Sequence, residues 1–171
     1  MENVIMLHNQ QLKNLTWLLI TVGILLLDQA TKFYATSLLS FEAPVVVFTG
    51  FNLTLAHNTG AAFSLFHQYN GGQLIFFTVL AISVSIYLLV WLYRLDVNAD
   101  TNLKIAISLL LGGTIGNLID RVSFGYVIDF IQLYYKNFYW PIFNIADSSI
   151  TVGAALLIYA YARLPKGNNT N

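Results

Sequence analysis

The stretch Phe143-Asn144-Ile145-Ala146-Asp147 opens an apolar run, residues 142–164, that is long enough to cross a membrane. A carboxylate in such a run costs a few kcal/mol on membrane-insertion scales. A second aspartate, Asp129, has equally apolar neighbours in Val127-Ile128-Asp129-Phe130-Ile131. Ionisable residues in such surroundings are candidates for a functional site, and two carboxylates favour acid/base chemistry.

The composition indicates an integral membrane protein. Of the 171 residues, 57% are hydrophobic and only 9% are charged, whereas a soluble domain carries about 25% charged residues. Four segments have the length and apolarity of a membrane-spanning helix, namely residues 15–34, 73–93, 103–119 and 142–164. The first segment lacks the features of a cleavable signal peptide and is interpreted as a retained helix. Without an internal repeat or a linker, residues 1–171 are predicted to form one domain.

The same composition argues against several kinds of site. The net charge is zero, so a nucleic-acid partner is not expected. The chain has no cysteine, which excludes disulfides and a thiol nucleophile. With only three histidines, a histidine-rich metal site is also not expected. The prediction is therefore a protein that works without a metal or another cofactor.

The placement of lysine and arginine predicts the orientation in the membrane. One side would carry Lys13, Arg94, Lys104, Arg163 and Lys166, and the other side Lys32, Arg121 and Lys136. This bias puts both termini in the cytoplasm. The long connections, about residues 35–72 and 121–141, would then face outward.

The outer connections contain β-forming sequence. Residues 45–49 and 52–56 flank Gly50 and are rich in β-forming residues, as in a short hairpin. Residues 126–134 are a further strand candidate. Residues 60–68 are predicted to form a short helix at the membrane interface. The predicted fold class is therefore a four-helix membrane protein with a small outer β-sheet and one interfacial helix.

Besides Asp129 and Asp147, two aspartates lie near the outer ends of the apolar spans. Asp28 and Lys32 have the i, i+4 spacing of an ion pair and are predicted to be structural. Asp120 precedes Arg121, whose charge would hold it ionised, so Asp120 is predicted to be more structural than catalytic. Arg121 itself fits two roles equally well, as a partner of a carboxylate or as a substrate contact.

Several polar and small residues near these aspartates have alternative explanations. Gly112 and Gly116 form a small-xxx-small pair that allows another helix to approach, and Asn117 continues this helix toward Asp120 and Arg121 on one face. Asn144 fits an N-cap with Asp147 in the first helical turn, although Ser148 and Thr151 extend the polar face and favour a functional role. Asn58 lies in a turn-like segment and is weak by itself.

Five of these segments in order resemble the lipoprotein signal peptidase family. They are Asp28-Gln29-x-x-Lys32, Asn58-x-Gly60-Ala61-Ala62-Phe63, Gly112-Gly113-x-x-Gly116-Asn117-x-x-Asp120-Arg121, Gly125-x-Val127-x-Asp129-Phe130 and Phe143-Asn144-x-Ala146-Asp147-Ser148. Each motif alone is loose, but their order and their coverage of nearly the whole chain are specific.

The resemblance implies an intramembrane aspartyl endopeptidase of the bacterial inner membrane, with its active site toward the outer side. It implies a catalytic dyad at Asp129 and Asp147. Supporting or substrate-binding roles are implied for Asn58, Asn117, Asp120, Arg121 and Asn144, and structural roles for Asp28 and Lys32. The implied substrate is a prolipoprotein with diacylglycerol on a cysteine, cleaved just before that cysteine. A monomer among membrane lipids, inhibited by globomycin, is expected.

Two other classes of protein remain alternatives at this point. Intramembrane carboxylates with an arginine are also found in ion- or proton-coupled transporters. Against that class, the charges lie near one surface and the sequence shows no inverted repeat. A non-catalytic membrane scaffold is the other alternative. The sequence alone does not show that Asp129 and Asp147 meet in space.

Overall fold

The computed structural model describes residues 14–60 and 72–163. Within these ranges are the four long helices predicted from the sequence: α1 (Leu18–Leu38), α2 (Gly72–Arg94), α3 (Thr101–Phe124) and α4 (Ile145–Arg163). Each has the length and apolarity needed to span a membrane. The predicted interfacial helix falls almost entirely on residues 61–71, which lie outside the described residues.

The helix ends differ from the predicted bounds, and in α3 capping residues rather than hydropathy decide both ends. The predicted start of α1 is a 3-10 turn, Leu15–Trp17. Helix α3 is longer at both ends: the Asp100 side chain caps its start by accepting from two backbone N–H groups, and Gly125, with φ +82°, ends it. Helix α4 begins three residues later than predicted, because Phe143 is held in a β-bridge with Ile131.

The outer connections form a four-stranded antiparallel sheet in the order β1-β2-β3-β4. Its strands are β1 (Val45–Phe48), β2 (Phe51–Asn58), β3 (Val127–Tyr135) and β4 (Phe138–Tyr139). The hairpin predicted around Gly50 and the strand predicted at residues 126–134 are both present. Strand β2 continues beyond the predicted residue 56, so Asn58 lies opposite Val127 of β3, close to Asp129.

Helix α3 is the centre of the helix bundle. Half of the residues in its most apolar stretch are buried, against about a fifth or less in the other helices. Glycines allow the close packing. A Cβ atom on Gly112 would lie 3.0 Å from the Thr21 carbonyl oxygen of α1, and one on Gly116 would lie 2.6 Å from Asp28 Oδ2. The close approach predicted from the glycine pair is therefore present.

The sheet lies at the end of the bundle where α1 and α3 end and α4 begins. Phe41, just after α1, bridges to Leu55 of β2, and Phe143, just before α4, bridges to Ile131 of β3. At the opposite end, the Asn14 side chain donates to the Leu95 carbonyl oxygen. The four aspartates singled out above thus lie beside the sheet.

Candidate active site

Asp129 of β3 and Asp147 of α4 are brought together by one side chain, that of Asn144. Its Nδ2 donates to Asp129 Oδ1 at 2.7 Å, and its Oδ1 accepts from the backbone N–H of Asp147 at 2.8 Å. Asn144 is fully buried and Asp129 is 2% exposed, whereas Asp147 is half-buried. The strand and the helix start that carry the two carboxylates therefore meet.

Asn144 is also the N-cap that the sequence offered as the alternative to a functional role. Besides accepting from the Asp147 N–H, Asn144 donates its own N–H to Asp147 Oδ2 at 3.4 Å, which is the reciprocal pattern of a capping box. Ser148 and Thr151, which had favoured function, donate to the carbonyl oxygens of Asn144 and Asp147 one turn earlier. Capping and contact with Asp129 are thus two properties of the same residue.

Two more asparagines donate to the carboxylates. Asn117 Nδ2 donates to Asp147 Oδ1 at 2.7 Å, and Asn58 Nδ2 donates to Asp129 Oδ2 at 3.0 Å. Asn58 also keeps its turn role, because its Oδ1 accepts from the Gly60 N–H at 2.8 Å. Side-chain amides from β2, α3 and the start of α4 thus surround the two carboxylates.

The ion pair predicted between Asp28 and Lys32 is present and includes a third member. Lys32 Nζ lies 2.8 Å from Asp28 Oδ2 and 2.8 Å from Asp120 Oδ2. All three side chains are nearly inaccessible to solvent. The cation that pairs with Asp120 is therefore Lys32 and not the adjacent Arg121, contrary to expectation, because consecutive helical residues project about 100° apart.

The Arg121 side chain lies against α2. Its guanidinium lies 5.6 Å from the centre of the Phe77 ring of α2, and its Nη1 approaches the Asn117 carbonyl oxygen at 3.4 Å. Asn117 and Asp120 do share a face, since both contact Lys32. Across residues 14–60 and 72–163 the ion pairs with carboxylates belong to Lys32. Arg121 interacts with Asp147, Asp120 and Asp129 through their charges at longer range, so both roles predicted for it stay open.

Sequence reasoning gave no role to Gln29, although it lies in the same motif as Asp28. Its amide Nε2 lies 3.1 Å from Asp120 Oδ1, 3.2 Å from Asp28 Oδ2 and 3.2 Å from the Gly116 carbonyl oxygen. A polar side chain within an apolar span, one residue from a buried aspartate, was the signal that would have found it.

The surroundings of Asp129 favour the protonated form of its carboxyl group. Burial raises the pKa of Asp129 to about 7, and the negative charge of Asp147 adds to this effect. Hydrogen bonds from Asn58 and Asn144 and the charge of Lys32 oppose it. One protonated and one ionised carboxyl group side by side are what general acid and base chemistry requires.

Asp147 opens onto an apolar cavity of about 510 Å³. Its polar lining comes from Asp147, Ser148 and Thr151, and the remaining lining residues are Leu133, Trp140, Pro141, Ile142, Phe143 and Val152. The cavity lies where β3 and the segment before α4 meet. It offers an apolar chain a place next to one of the two carboxylates.

Comparisons with known proteins agree on one family. The family profile described as "Signal peptidase (SPase) II" matches residues 20–163. A lipoprotein signal peptidase of Acinetobacter baumannii is 50% identical over 145 residues, which cover 85% of this chain and 82% of the relative. One of Polynucleobacter necessarius is 46% identical over 160 residues, covering 94% and 97% of the two chains.

The fold is also similar to a solved structure titled "Bacterial membrane enzyme structure by the in meso method at 1.9 A resolution". The TM-score is 0.77 at 35% sequence identity, and the match covers 86% of this chain and 93% of the other.

Proposed function

Because this chain belongs to the signal peptidase II family, we propose that Asp129 and Asp147 are the catalytic pair of its peptidase reaction. The chain is a multi-pass membrane protease that removes signal peptides from prolipoproteins. Its family membership removes the transporter and the scaffold as alternatives. The observation that carries the assignment of the pair is the double contact of Asn144, with Asp129 Oδ1 and with the Asp147 N–H.

The proposed mechanism is hydrolysis by a carboxylate pair that shares one proton. The ionised carboxylate accepts a proton from a water molecule, whose oxygen attacks the scissile carbonyl carbon, while the protonated carboxyl donates to the carbonyl oxygen. The tetrahedral intermediate then collapses, the C–N bond breaks, and the amine leaves with a proton from the pair. Because the two groups titrate together, the proton belongs to the pair and neither residue is assigned one role.

The other site residues divide by their contacts. Asn58, Asn117 and Asn144 donate to the carboxylates and are proposed to hold them in place. Arg121 is proposed to contact the substrate. The remaining group, Asp28, Lys32 and Asp120, is proposed to support the site from the side away from the cavity.

The proposed substrate is a prolipoprotein that carries diacylglycerol on a cysteine, with cleavage just before that cysteine. The apolar cavity beside Asp147 supports this choice, because it can receive an apolar part of the substrate that lies within the bilayer. Globomycin-type inhibitors are proposed to block the same place. We further propose that residues 1–171 act as one domain and as a monomer.

The proposed membrane is the bacterial cytoplasmic membrane, with both termini inside and the sheet outside. The charges of the described helix ends support this orientation. Arg94 and Arg163 end α2 and α4 at the end of the bundle opposite the sheet, where positive charge is expected in the cytoplasm. The pair at the sheet end would then face the outer side, where a translocated precursor presents its cleavage site.

The test is cleavage of a lipid-modified precursor by purified protein in detergent. Asp129→Asn and Asp147→Asn should each lose cleavage by at least about a thousandfold, because each removes one of the two proton-transfer groups. Asp100→Asn is a matched control, since Asp100 caps α3 at the opposite end of the bundle and asparagine is an equally good cap. Near-normal cleavage by either dyad variant would rule out the assigned pair.

A further inference from the structure

The residue before each proposed catalytic aspartate is held by another aspartate. Ala146, which precedes Asp147, donates its backbone N–H to Asp28 Oδ1 at 2.9 Å. Ile128, which precedes Asp129, donates its backbone N–H to Asp120 Oδ2 at 3.0 Å. Helix α4, which carries Asp147, is thus attached to α1, and strand β3, which carries Asp129, is attached in the same way to α3.

Lys32 connects these two attachments. Its ammonium lies 2.8 Å from Asp28 and 2.8 Å from Asp120, and it makes a third contact, to Asn117 Oδ1 at 3.0 Å. An ammonium has three N–H donors, so all of them are used. Lys32 is 1% exposed, so water does not compete for these contacts. A single cation therefore links the backbone beside Asp129 to the backbone beside Asp147.

The third contact also fixes the direction of an amide. An ammonium only donates, so Lys32 requires the oxygen of the Asn117 amide to face it. The Nδ2 group must then face the other way, where it donates to Asp147 Oδ1 at 2.7 Å. A flipped amide would set its NH₂ group against the ammonium and its oxygen against the carboxylate.

We propose that Lys32 is a positioning residue for the peptidase reaction. Lys32 sets the separation of Asp129 and Asp147 through Asp28 and Asp120, and it orients the Asn117 amide toward Asp147. This inference rests on the proposed function, because it assumes that these two aspartates are the catalytic pair.

The buried contacts of Lys32 with Asp28 and Asp120 are expected to add little to the stability of the fold. Two carboxylates and one ammonium taken out of water pay a desolvation cost that offsets most of their attraction. Geometry is a stronger reason for this arrangement, because a displacement of about 1 Å in a catalytic group can cost about a hundredfold in rate. A positioning role therefore predicts a loss of kcat that exceeds any loss of folded protein.

The experiment compares two Lys32 variants with a matched control. Lys32→Arg keeps the charge but replaces the compact ammonium by a planar, longer guanidinium. The double variant Lys32→Met/Asp120→Asn keeps the local charge at −1, since only the Asp28 carboxylate then remains. Thr21→Val is the control, because Thr21 is buried in α1 and its hydroxyl donates to the Ser108 carbonyl oxygen of α3, which belongs to neither attachment. Thermal unfolding, kcat, KM and the pH dependence of cleavage are measured for each in detergent.

We expect both Lys32 variants to fold with kcat lowered by about a hundredfold or more and KM changed by less than about threefold. The positive charge of Lys32 lowers the pKa of Asp129. The double variant also removes the negative charge of Asp120, so both variants keep the local charge at −1. Neither should move the alkaline limb of the pH profile, and the loss should appear in kcat at every pH. Thr21→Val should change thermal stability without changing kcat or the pH profile.

Normal kcat in a folded Lys32 variant would overturn the inference, and so would losses of activity that match the losses of folded protein. Failure of both variants to fold would also overturn it, because Lys32 would then be needed for the fold itself. Asp129→Asn, assayed in parallel, separates this inference from the proposed function. If Asp129→Asn is inactive while the Lys32 variants are normal, only the positioning role is lost; if Asp129→Asn is active, the pair itself is wrong.

Discussion

Asn144 both caps α4 and donates a hydrogen bond to Asp129, and replacing it by serine separates these two roles. Serine is a good N-cap, so its hydroxyl can still accept from the Asp147 N–H in the first turn of α4. It has no amide to donate to Asp129 Oδ1, which in the folded protein accepts from Asn144 Nδ2 at 2.7 Å. The variant therefore keeps the helix start and loses one donor to the carboxylate pair.

The size of the effect follows from the charge of the acceptor. A hydrogen bond to a charged group contributes about 1.5–3 kcal/mol, and one pKa unit corresponds to about 1.4 kcal/mol. The Asn144 contact lowers the pKa of Asp129, which burial and Asp147 raise to about 7. Its loss should therefore raise that pKa by about one to two units. Because the pair then keeps its shared proton to higher pH, the alkaline limb of the kcat/KM profile moves upward by the same amount.

The assay is precursor cleavage by purified protein in detergent between about pH 5 and 9, with thermal unfolding of the same samples. Asn144→Ala is the control, since it loses both the cap and the donor. It should show the same displacement of the alkaline limb and be about 1 kcal/mol less stable than Asn144→Ser. An unchanged alkaline limb in Asn144→Ser, with the protein folded, would refute the reasoning.

Two further predictions concern stability. Asp129→Asn should flatten the pH dependence of unfolding, because the pKa of Asp129 is raised from about 3.9 in the unfolded chain to about 7 in the folded protein. The folded state therefore binds the proton of Asp129 more tightly than the unfolded chain does. The resulting stabilisation of the fold, up to roughly 4 kcal/mol, is fully present below pH 4 and is lost as the pH rises through 7. Thermal unfolding at pH 4.5 and 8 measures this, and an equal pH trend in the wild type and the variant would contradict it. Gly116→Ala should destabilise the protein by about 1–3 kcal/mol, because the added Cβ lies 2.6 Å from Asp28 Oδ2. Gly23→Ala, whose Cβ meets nothing within 4 Å, should be neutral, and equal Tm values for these two variants would count against the packing described.

The sequence predicted the elements well because their signals are local. Apolar length predicted all four helices, and the β-forming residues around Gly50 predicted the hairpin. The start of α3 was less predictable, since Asp100 acts through a cap that hydropathy does not register. The pairing of Asp120 with Lys32 was not predictable from spacing either, because it joins residues of different helices.

The four aspartates show why membrane cost alone did not separate the catalytic candidates from the supporting ones. All four are costly in apolar surroundings, and in the structure they differ in the charge of their partners. Asp28 and Asp120 share the ammonium of Lys32 and accept from backbone N–H groups. The polar contacts of Asp129 and Asp147 found among the described residues come from neutral amides. A carboxylate that pairs with a cation and accepts from a backbone N–H is suited to hold the backbone in place, whereas neighbouring carboxylates that accept from neutral donors are suited to share a proton. On this proposal, the partners contributed by the fold, rather than the aspartates themselves, distinguish the pair that exchanges protons with the substrate from the pair that holds the backbone.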